Sequence, residues 1–166
     1  MQNNILPPII EITIISAQNI AKNKSYFTFS RRIRPFIILS AASSARNKDL
    51  QRLYETREDE NGGVNPTWGD KFRLSLTHNF FNQRYPGIYL QLYTKHLLLG
   101  QSQLGWCMIP ASDILNRFSH VGSTQFLSYR LRSGDGSRGQ GVVNVAVRLE
   151  ESLCDDHSVI GIPVKL

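Results

Sequence analysis

The chain has no long apolar run. Its longest apolar stretches, such as residues 7–10 and 37–39, are far too short to cross a bilayer as a helix. The first residues lack the basic and then apolar pattern of a secretory signal, and Gln2 stands where N-myristoylation requires a glycine. These absences predict a cytoplasmic chain without a membrane span.

Cysteine is scarce, and the residues that build catalytic and metal sites are scattered. The 2 cysteines, Cys107 and Cys154, are expected to be reduced, with Cys107 as a small buried residue, although they could pair in principle. The 4 histidines lack the spacing of metal ligands, no serine lies in a nucleophile elbow, and no glycine loop precedes a helix. The sequence therefore predicts no enzyme and no cofactor.

Acidic residues are outnumbered by basic ones. The chain has 19 Lys and Arg against 13 Asp and Glu, which gives a net charge of +6 and a pI near 9.6. This balance favours an anionic partner, either phospholipid head groups or nucleic acid. The excess is concentrated between residues 22 and 57, although basic residues spread over this length would also suit a solvated surface.

The chain is instead rich in short β-branched or alternating segments that are separated by turns. These segments are residues 9–16, 35–41, 50–57, 68–76, 88–93, 104–109, 126–132 and 141–149. A helical turn is predicted over 111–118 with Ser112 as its N-cap, and a solvated acidic loop over 58–63. The pattern predicts an all-β fold, an eight-stranded antiparallel β-sandwich with one short helix between late strands. We expect the domain to span residues 7–150, with tails at 1–6 and 151–166.

Two groups of residues carry a resemblance to a known family. One is the Asn-Pro-x-Trp step at residues 65–68, followed by Phe72. The other is a late series of features: a strand that ends at Tyr93, the pair Leu104-Gly105, the strand 126–132 and a last strand that starts at Gly141. Together they resemble the C2 domain, and in particular the small plant C2 proteins of the cold-responsive and copine-associated (bonzai-associated) types. The resemblance implies an antiparallel sandwich that docks proteins on membranes.

The resemblance also bears on calcium. Calcium-binding C2 domains place aspartates in loops at one end of the sandwich, because this hard cation needs several oxygens, preferably anionic ones. The corresponding positions here are degenerate: Arg34, Thr94, His96 and Ser102. Asp59 and Asp70 are near in sequence, but isolated carboxylates bind calcium poorly. We therefore expect a calcium-independent domain without a metal.

The same end of the domain is basic in this sequence. The candidate lipid-binding residues are Lys22, Lys24, Arg31, Arg32, Arg34, Lys95 and His96. Where calcium would bridge the protein to anionic lipid, fixed cations attract that lipid directly. The aromatic residues between 26 and 29 and the leucines at 97–99 are expected either to insert shallowly or to plug the end of the sandwich.

These features predict a membrane-recruitment or adaptor module, peripheral at the plasma membrane. Its expected partners are an anionic membrane surface and a copine-like or other membrane-associated signalling protein. The resemblance implies a part in plant stress or defence signalling and in the restraint of cell death. Two alternatives stay open. One is a protein-interaction module without direct lipid or calcium binding, in which the basic face or the Arg130 and Arg132 strand recognises an acidic partner. The other is a basic nucleic-acid-binding domain, against which the family resemblance weighs.

Overall fold

A computed structural model describes residues 7–20, 33–42, 49–96, 100–115 and 122–150. The elements, in chain order, are β1 (Ile9–Gln18), β2 (Pro35–Ala42), β3 (Leu50–Glu55), β4 (Thr67–Ser75), α1 (His78–Phe81), β5 (Gly87–His96), β6 (Gly100–Pro110), α2 (Ala111–Ile114), β7 (Thr124–Arg132) and β8 (Arg138–Glu150). All paired strands are antiparallel, which confirms the predicted all-β fold. The tails predicted at 1–6 and 151–166 lie outside the described residues, and the domain limits stay a prediction.

Strand β1 shows why the alternating segments fold as predicted. Ile10, Ile12 and Ile14 are fully buried, while the residues between them are only partly covered. Successive side chains of a strand point to opposite faces, so every second isoleucine enters the core. The register shifts between Ile14 and Ser16, which marks a bulge near the end of the strand.

The eight strands follow the order β3-β2-β5-β6-β7-β8-β1-β4. Strands β6 and β7 pair through a single pair of residues, Trp106 and Arg132. This weak pairing divides the order into two four-stranded halves. Inward side chains of both halves, among them Ile12, Leu39 and Val145, belong to one buried cluster. The architecture is the predicted β-sandwich, in which two inner faces share one core.

The edge strands β3 and β4 are joined by side chains. Tyr54 on β3 donates its hydroxyl to the backbone oxygen of Arg73 on β4 at 2.8 Å, and its ring stacks on Phe72 with centroids 5.1 Å apart. Just beyond β3, Arg57 donates from Nε to Asp70 Oδ1 at 2.8 Å. This hydrogen bond and the charge of Asp70 raise the pKa of the Arg57 guanidinium. These contacts link the first and the last strand of the sheet order.

The helix α1 corrects the prediction of a single helix. Its N-cap residue, Thr77, makes no side-chain capping hydrogen bond, and no acidic residue lies in its first turn. Phe80 is 5% exposed and belongs to the core. Burial of Phe80 rather than a cap holds this turn, so the usual signal of a helix start is missing from the sequence.

The helix α2 confirms the predicted turn between late strands but not its cap. Pro110, in an extended conformation, is the N-cap residue, and Ser112 lies inside the helix with its Oγ 3.5 Å from Asp113. The helix starts at Ala111, as predicted, and its cap precedes Ser112 because β6 runs directly into it. Residues 116–118 of the predicted turn lie outside the described residues. Asp113 then accepts a hydrogen bond of 2.7 Å from the hydroxyl of Tyr129 on β7. Burial and this contact raise the pKa of Tyr129.

Candidate functional site

Three connections meet at one end of the sandwich because the strands pair antiparallel. Ser16, near the end of β1, lies opposite Thr67 at the start of β4, and Pro35 at the start of β2 lies opposite Thr94 near the end of β5. We call this region the loop end and define it by the connections β1–β2 (residues 19–34), β3–β4 (56–66) and β5–β6 (97–99), together with the adjoining strand residues 67–70 of β4 and 94–96 of β5. The structure describes residues 19–20, 33–34, 56–70 and 94–96 of it.

The Asn-Pro-x-Trp step fastens the β3–β4 connection to its neighbours. The side-chain oxygen of Asn65 accepts a hydrogen bond of 2.8 Å from the backbone N–H of Asn19, which has a φ of 52°. Asparagine tolerates this left-handed conformation better than most residues. The indole of Trp68 is 6% exposed and donates to the backbone oxygen of Pro35 at 3.2 Å. These bonds set the spacing of the first two connections.

The structure brings together three of the four degenerate calcium positions. Thr94 is fully buried, and its Oγ1 accepts a hydrogen bond of 3.0 Å from the backbone N–H of Arg34. Ser102 lies directly opposite Thr94 in the β5–β6 pairing. His96 lies opposite Gly100, and its side chain is outside what the structure describes.

These positions do not fit a calcium ion. They present an exposed guanidinium and a hydroxyl that is already engaged, where the ion requires several oxygens and preferably carboxylates. Across the described ranges, no three histidine, cysteine or acidic side chains come together as a metal-binding group.

Lys95 has partners within the fold. Its Nζ forms an ion pair with Glu58 and lies 5.3 Å from the ring centroid of Phe36. Glu58 is 37 residues away in sequence and lies in the loop for which the sequence predicts exposure to solvent. The Lys95 charge is therefore partly neutralised, and its assignment to lipid binding stays a prediction.

An open cleft of about 590 Å³ lies at the loop end. It is lined by Arg34, Arg57, Glu58, Asp59, Glu60, Thr67 and Trp68. Asp59 is only 7% exposed, and its backbone N–H donates to the Pro35 oxygen at 2.9 Å, so the prediction of a solvated loop is wrong at this residue. The loop contacts β2 at Asp59, while Glu60 and Asn61 are exposed.

The described part of the loop end has no excess of positive charge. Three cationic side chains, Arg34, Arg57 and Lys95, stand against four carboxylates, Glu58, Asp59, Glu60 and Asp70. Four of the seven candidate lipid-binding residues, Lys22, Lys24, Arg31 and Arg32, lie outside the described residues. A net positive charge at the loop end therefore depends on these four residues.

The thiol of Cys107 and the two helices bear on catalysis and on membrane insertion. Cys107 is 3% exposed, which confirms it as a small buried residue, and burial raises the pKa of its thiol to about 12. Such a thiol is not a nucleophile near neutral pH. Within the described ranges, neither helix is long or apolar enough to span a bilayer.

Comparison with known proteins identifies the fold. The family model for the C2 domain matches residues 9–126. The chain belongs to the C2 domain family. BON1-associated protein 2 of Arabidopsis thaliana is 28% identical to this C2 domain over 146 residues, which cover 81% of this chain and 69% of that protein. This relationship confirms the predicted resemblance to the small copine-associated plant C2 proteins.

Two solved structures have the same fold at low sequence identity. A C2 domain of a plant extended synaptotagmin 1 has a TM-score of 0.62 and 12% identity, over 87% of this chain and 95% of that one. The structure of BON1-C2B has a TM-score of 0.52 and 15% identity, over 91% of this chain and 94% of that one. At these identities the likeness concerns the fold alone.

Proposed function

We propose that this C2 domain is a membrane-recruitment module that binds anionic phospholipid without calcium. One observation carries the proposal: at the position of a family calcium ligand, the hydroxyl of buried Thr94 is engaged by the backbone of Arg34, and Arg34 presents a cation to solvent. At this position, where other members would hold a divalent cation, the chain carries the guanidinium of Arg34. The role is recruitment and requires no catalysis.

The proposed attraction comes mainly from the β1–β2 connection. Lys22, Lys24, Arg31, Arg32 and Arg34 belong to it. A basic residue near an anionic membrane contributes roughly 1 kcal/mol, so five of them give useful binding that high salt weakens. Lys95 contributes less because Glu58 already pairs with it, and His96 is included only from the sequence.

The relatives support a more specific cellular role. BON1-associated protein 2 is named for an association with BON1, and we propose a copine-like partner for this chain too. The proposed place of action is the cytoplasmic face of the plasma membrane, and the proposed process is plant stress or defence signalling that restrains cell death. This process is what the resemblance to the small plant C2 proteins implies, through the strand at residues 126–132 and the last strand that starts at Gly141.

A second candidate is a protein-interaction module without direct lipid binding. The charge balance of the described loop end favours it, because Lys95 and Arg57 are paired with carboxylates of the same domain. Paired cations attract a surface less strongly than free ones.

The test is co-sedimentation of the purified domain with phosphatidylserine-containing and neutral vesicles, each with calcium and with chelator, at low and high salt. We expect binding to anionic vesicles only, retained in chelator and weakened by high salt. The variant carrying Arg31→Glu, Arg32→Glu and Arg34→Glu should lose this binding while its thermal unfolding stays cooperative. A variant with the same change of charge, Arg130→Glu, Arg132→Glu and Arg138→Glu, is the matched control.

Three results would count against the proposal. Absence of binding under every condition would leave the protein-interaction module as the better account. Binding that requires calcium would contradict the interpretation of Arg34 and Thr94. Retained binding by the folded loop variant would exclude the β1–β2 connection as the lipid site.

A further inference from the structure

The outer face of β7 carries an unusual set of exposed side chains. Phe126 is 76% exposed, and Arg130 and Arg132 are exposed on the same face of the strand. Arg138, at the start of β8, lies directly opposite Arg132 and is also exposed. We call these four residues the arginine strip.

The guanidinium groups of the strip are not neutralised by the described part of the chain. No ion pair among the described residues involves Arg130, Arg132 or Arg138. Arg132 donates from Nη1 to the backbone oxygen of Gly136 at 3.2 Å, which keeps it near the β7–β8 turn. Like charges directly opposite each other on paired strands are unfavourable, so an anion between Arg132 and Arg138 would relieve a repulsion.

The nearest carboxylate in sequence is already engaged. Asp135 in the β7–β8 turn accepts a hydrogen bond of 2.9 Å from the backbone N–H of Ser137. This contact belongs to the turn itself, because aspartate commonly bonds the backbone two residues further on. Among the described residues, Asp135 forms no ion pair with an arginine of the strip.

Between Phe126 and the arginines, short polar side chains hydrogen-bond to one another. Ser128 donates its hydroxyl to Asn144 Oδ1 at 2.7 Å, and Asn144 donates from Nδ2 to the Ser16 hydroxyl at 3.0 Å. Ala146, opposite Phe126, is small and 8% exposed. Short side chains across β7, β8 and β1 leave a tract along which a chain can lie.

The dimensions of the strip match an extended segment. Strand geometry places Phe126 about 13 Å from Arg130 and about 20 Å from Arg132, along one line. An extended chain has the same rise per residue, so an apolar side chain over Phe126 would be followed by carboxylates at the arginines about four to six residues further on. Aromatic residues and arginine are also the types that most often dominate protein interfaces.

The strip runs along β7 away from the loop end. Arg130 pairs with Val142, which in turn lies opposite Gln18 at the end of β1, so the arginines lie beside the β1–β2 connection. Phe126 lies about 20 Å further from the loop end than Arg132 does. The geometry points to a protein-docking surface: the arginine strip binds an extended acidic segment of a partner protein, with Phe126 receiving an apolar side chain of that segment. This docking does not require lipid binding.

The test uses fluorescence anisotropy with a labelled peptide of about ten residues in which a leucine precedes a run of glutamates by about four residues, the spacing that the strand sets. The reversed sequence and a peptide with serine in place of glutamate serve as comparisons. We expect saturable binding of the acidic peptide, in one of its two directions, to the full chain. Arg130→Glu with Arg132→Glu should weaken it at least about tenfold, since it replaces attraction by repulsion. Phe126→Ser should weaken it by about threefold or more, and Arg84→Glu at the opposite end should leave it unchanged.

The outcomes separate docking from simpler charge effects. No saturable binding of either acidic peptide would overturn the proposal. Equal loss with Arg84→Glu would also overturn it, because the binding would then follow net charge alone. If the strip variant kept peptide binding but lost binding to phosphatidylserine vesicles, the strip would be a membrane surface and the proposal would be wrong. Circular dichroism and thermal melts of each variant would show that the fold is intact.

Discussion

The loop end and the arginine strip both carry three described cations, but they differ in whether carboxylates of the same domain pair with them. At the loop end, Lys95 is paired with Glu58 and Arg57 with Asp70. On the strip, Arg130, Arg132 and Arg138 make no ion pair within the described residues, and two of them face each other. A surplus of basic residues therefore does not by itself locate a binding surface, because paired cations hold the fold and unpaired ones remain available for a partner.

The largest expected difference between the two regions concerns their aromatic residues. Trp68→Ala should lower the free energy of unfolding by roughly 3–5 kcal/mol, because it empties a buried site at the loop end. Phe126→Ala should change it by less than about 0.5 kcal/mol, since the ring is 76% exposed. Urea unfolding of both variants measures the difference. Equal destabilisation would mean that Phe126 supports the fold and is not free for docking.

A smaller difference is expected from the hydroxyl groups. Thr94→Val keeps the shape of the side chain but leaves the backbone N–H of Arg34 without its acceptor, at a cost of about 1–3 kcal/mol. Ser128→Ala removes an exposed hydrogen bond to Asn144 and should cost less than about 1 kcal/mol. Both are measured by chemical denaturation. An unchanged stability for Thr94→Val would show that its hydroxyl does not organise the loop end.

Charge reversal should act with opposite sign in the two regions. Arg138→Glu replaces a like-charge pair with Arg132 by an attractive one and should stabilise the domain by roughly 0.2–1 kcal/mol. Lys95→Glu places a carboxylate beside Glu58 and should destabilise it by a similar amount. Thermal melts at low salt give the largest signal, since salt screens both effects. Destabilisation by Arg138→Glu would argue that the strip already holds an internal partner.

The smallest expected effect is a pH dependence in the β7–β8 turn. Hydrogen bonds from the hydroxyl and the backbone N–H of Ser137 lower the pKa of Asp135. A carboxyl whose pKa is lowered by folding contributes stability above its unfolded pKa, near 4, and this contribution is lost as the pH falls below that value. Asp135→Asn should therefore flatten the acid side of the stability profile slightly. An identical profile for the variant would contradict this assignment.

Much of the fold can be predicted from local patterns. The alternation of Ile10, Ile12 and Ile14 predicts a strand with one buried face because side-chain direction in a strand depends only on position. The Asn-Pro-x-Trp step similarly predicts a buried residue, since the large apolar side chain of Trp68 favours the core over the surface. The structural roles of these residues can be predicted from the few residues next to them in the sequence.

The charge environment of the site could not be predicted in this way. The Lys95 pair with Glu58 joins residues 37 positions apart, and the burial of Asp59 depends on how its loop folds back on Pro35. The opposition of Arg132 and Arg138 arises from a register shift after Arg130 that strand periodicity does not reveal. Such features follow from tertiary contacts, so they require the structure.

The most direct test of this account compares the two triple charge reversals for binding to phosphatidylserine vesicles in chelator. One variant carries Arg31→Glu, Arg32→Glu and Arg34→Glu in the β1–β2 connection, and the other carries Arg130→Glu, Arg132→Glu and Arg138→Glu in the strip. Both remove the same charge, so they differ only in location. The account predicts that the loop variant loses binding and the strip variant retains most of it. Equal loss in both, or loss in the strip variant alone, would contradict the assignment of the membrane contact to the loop end.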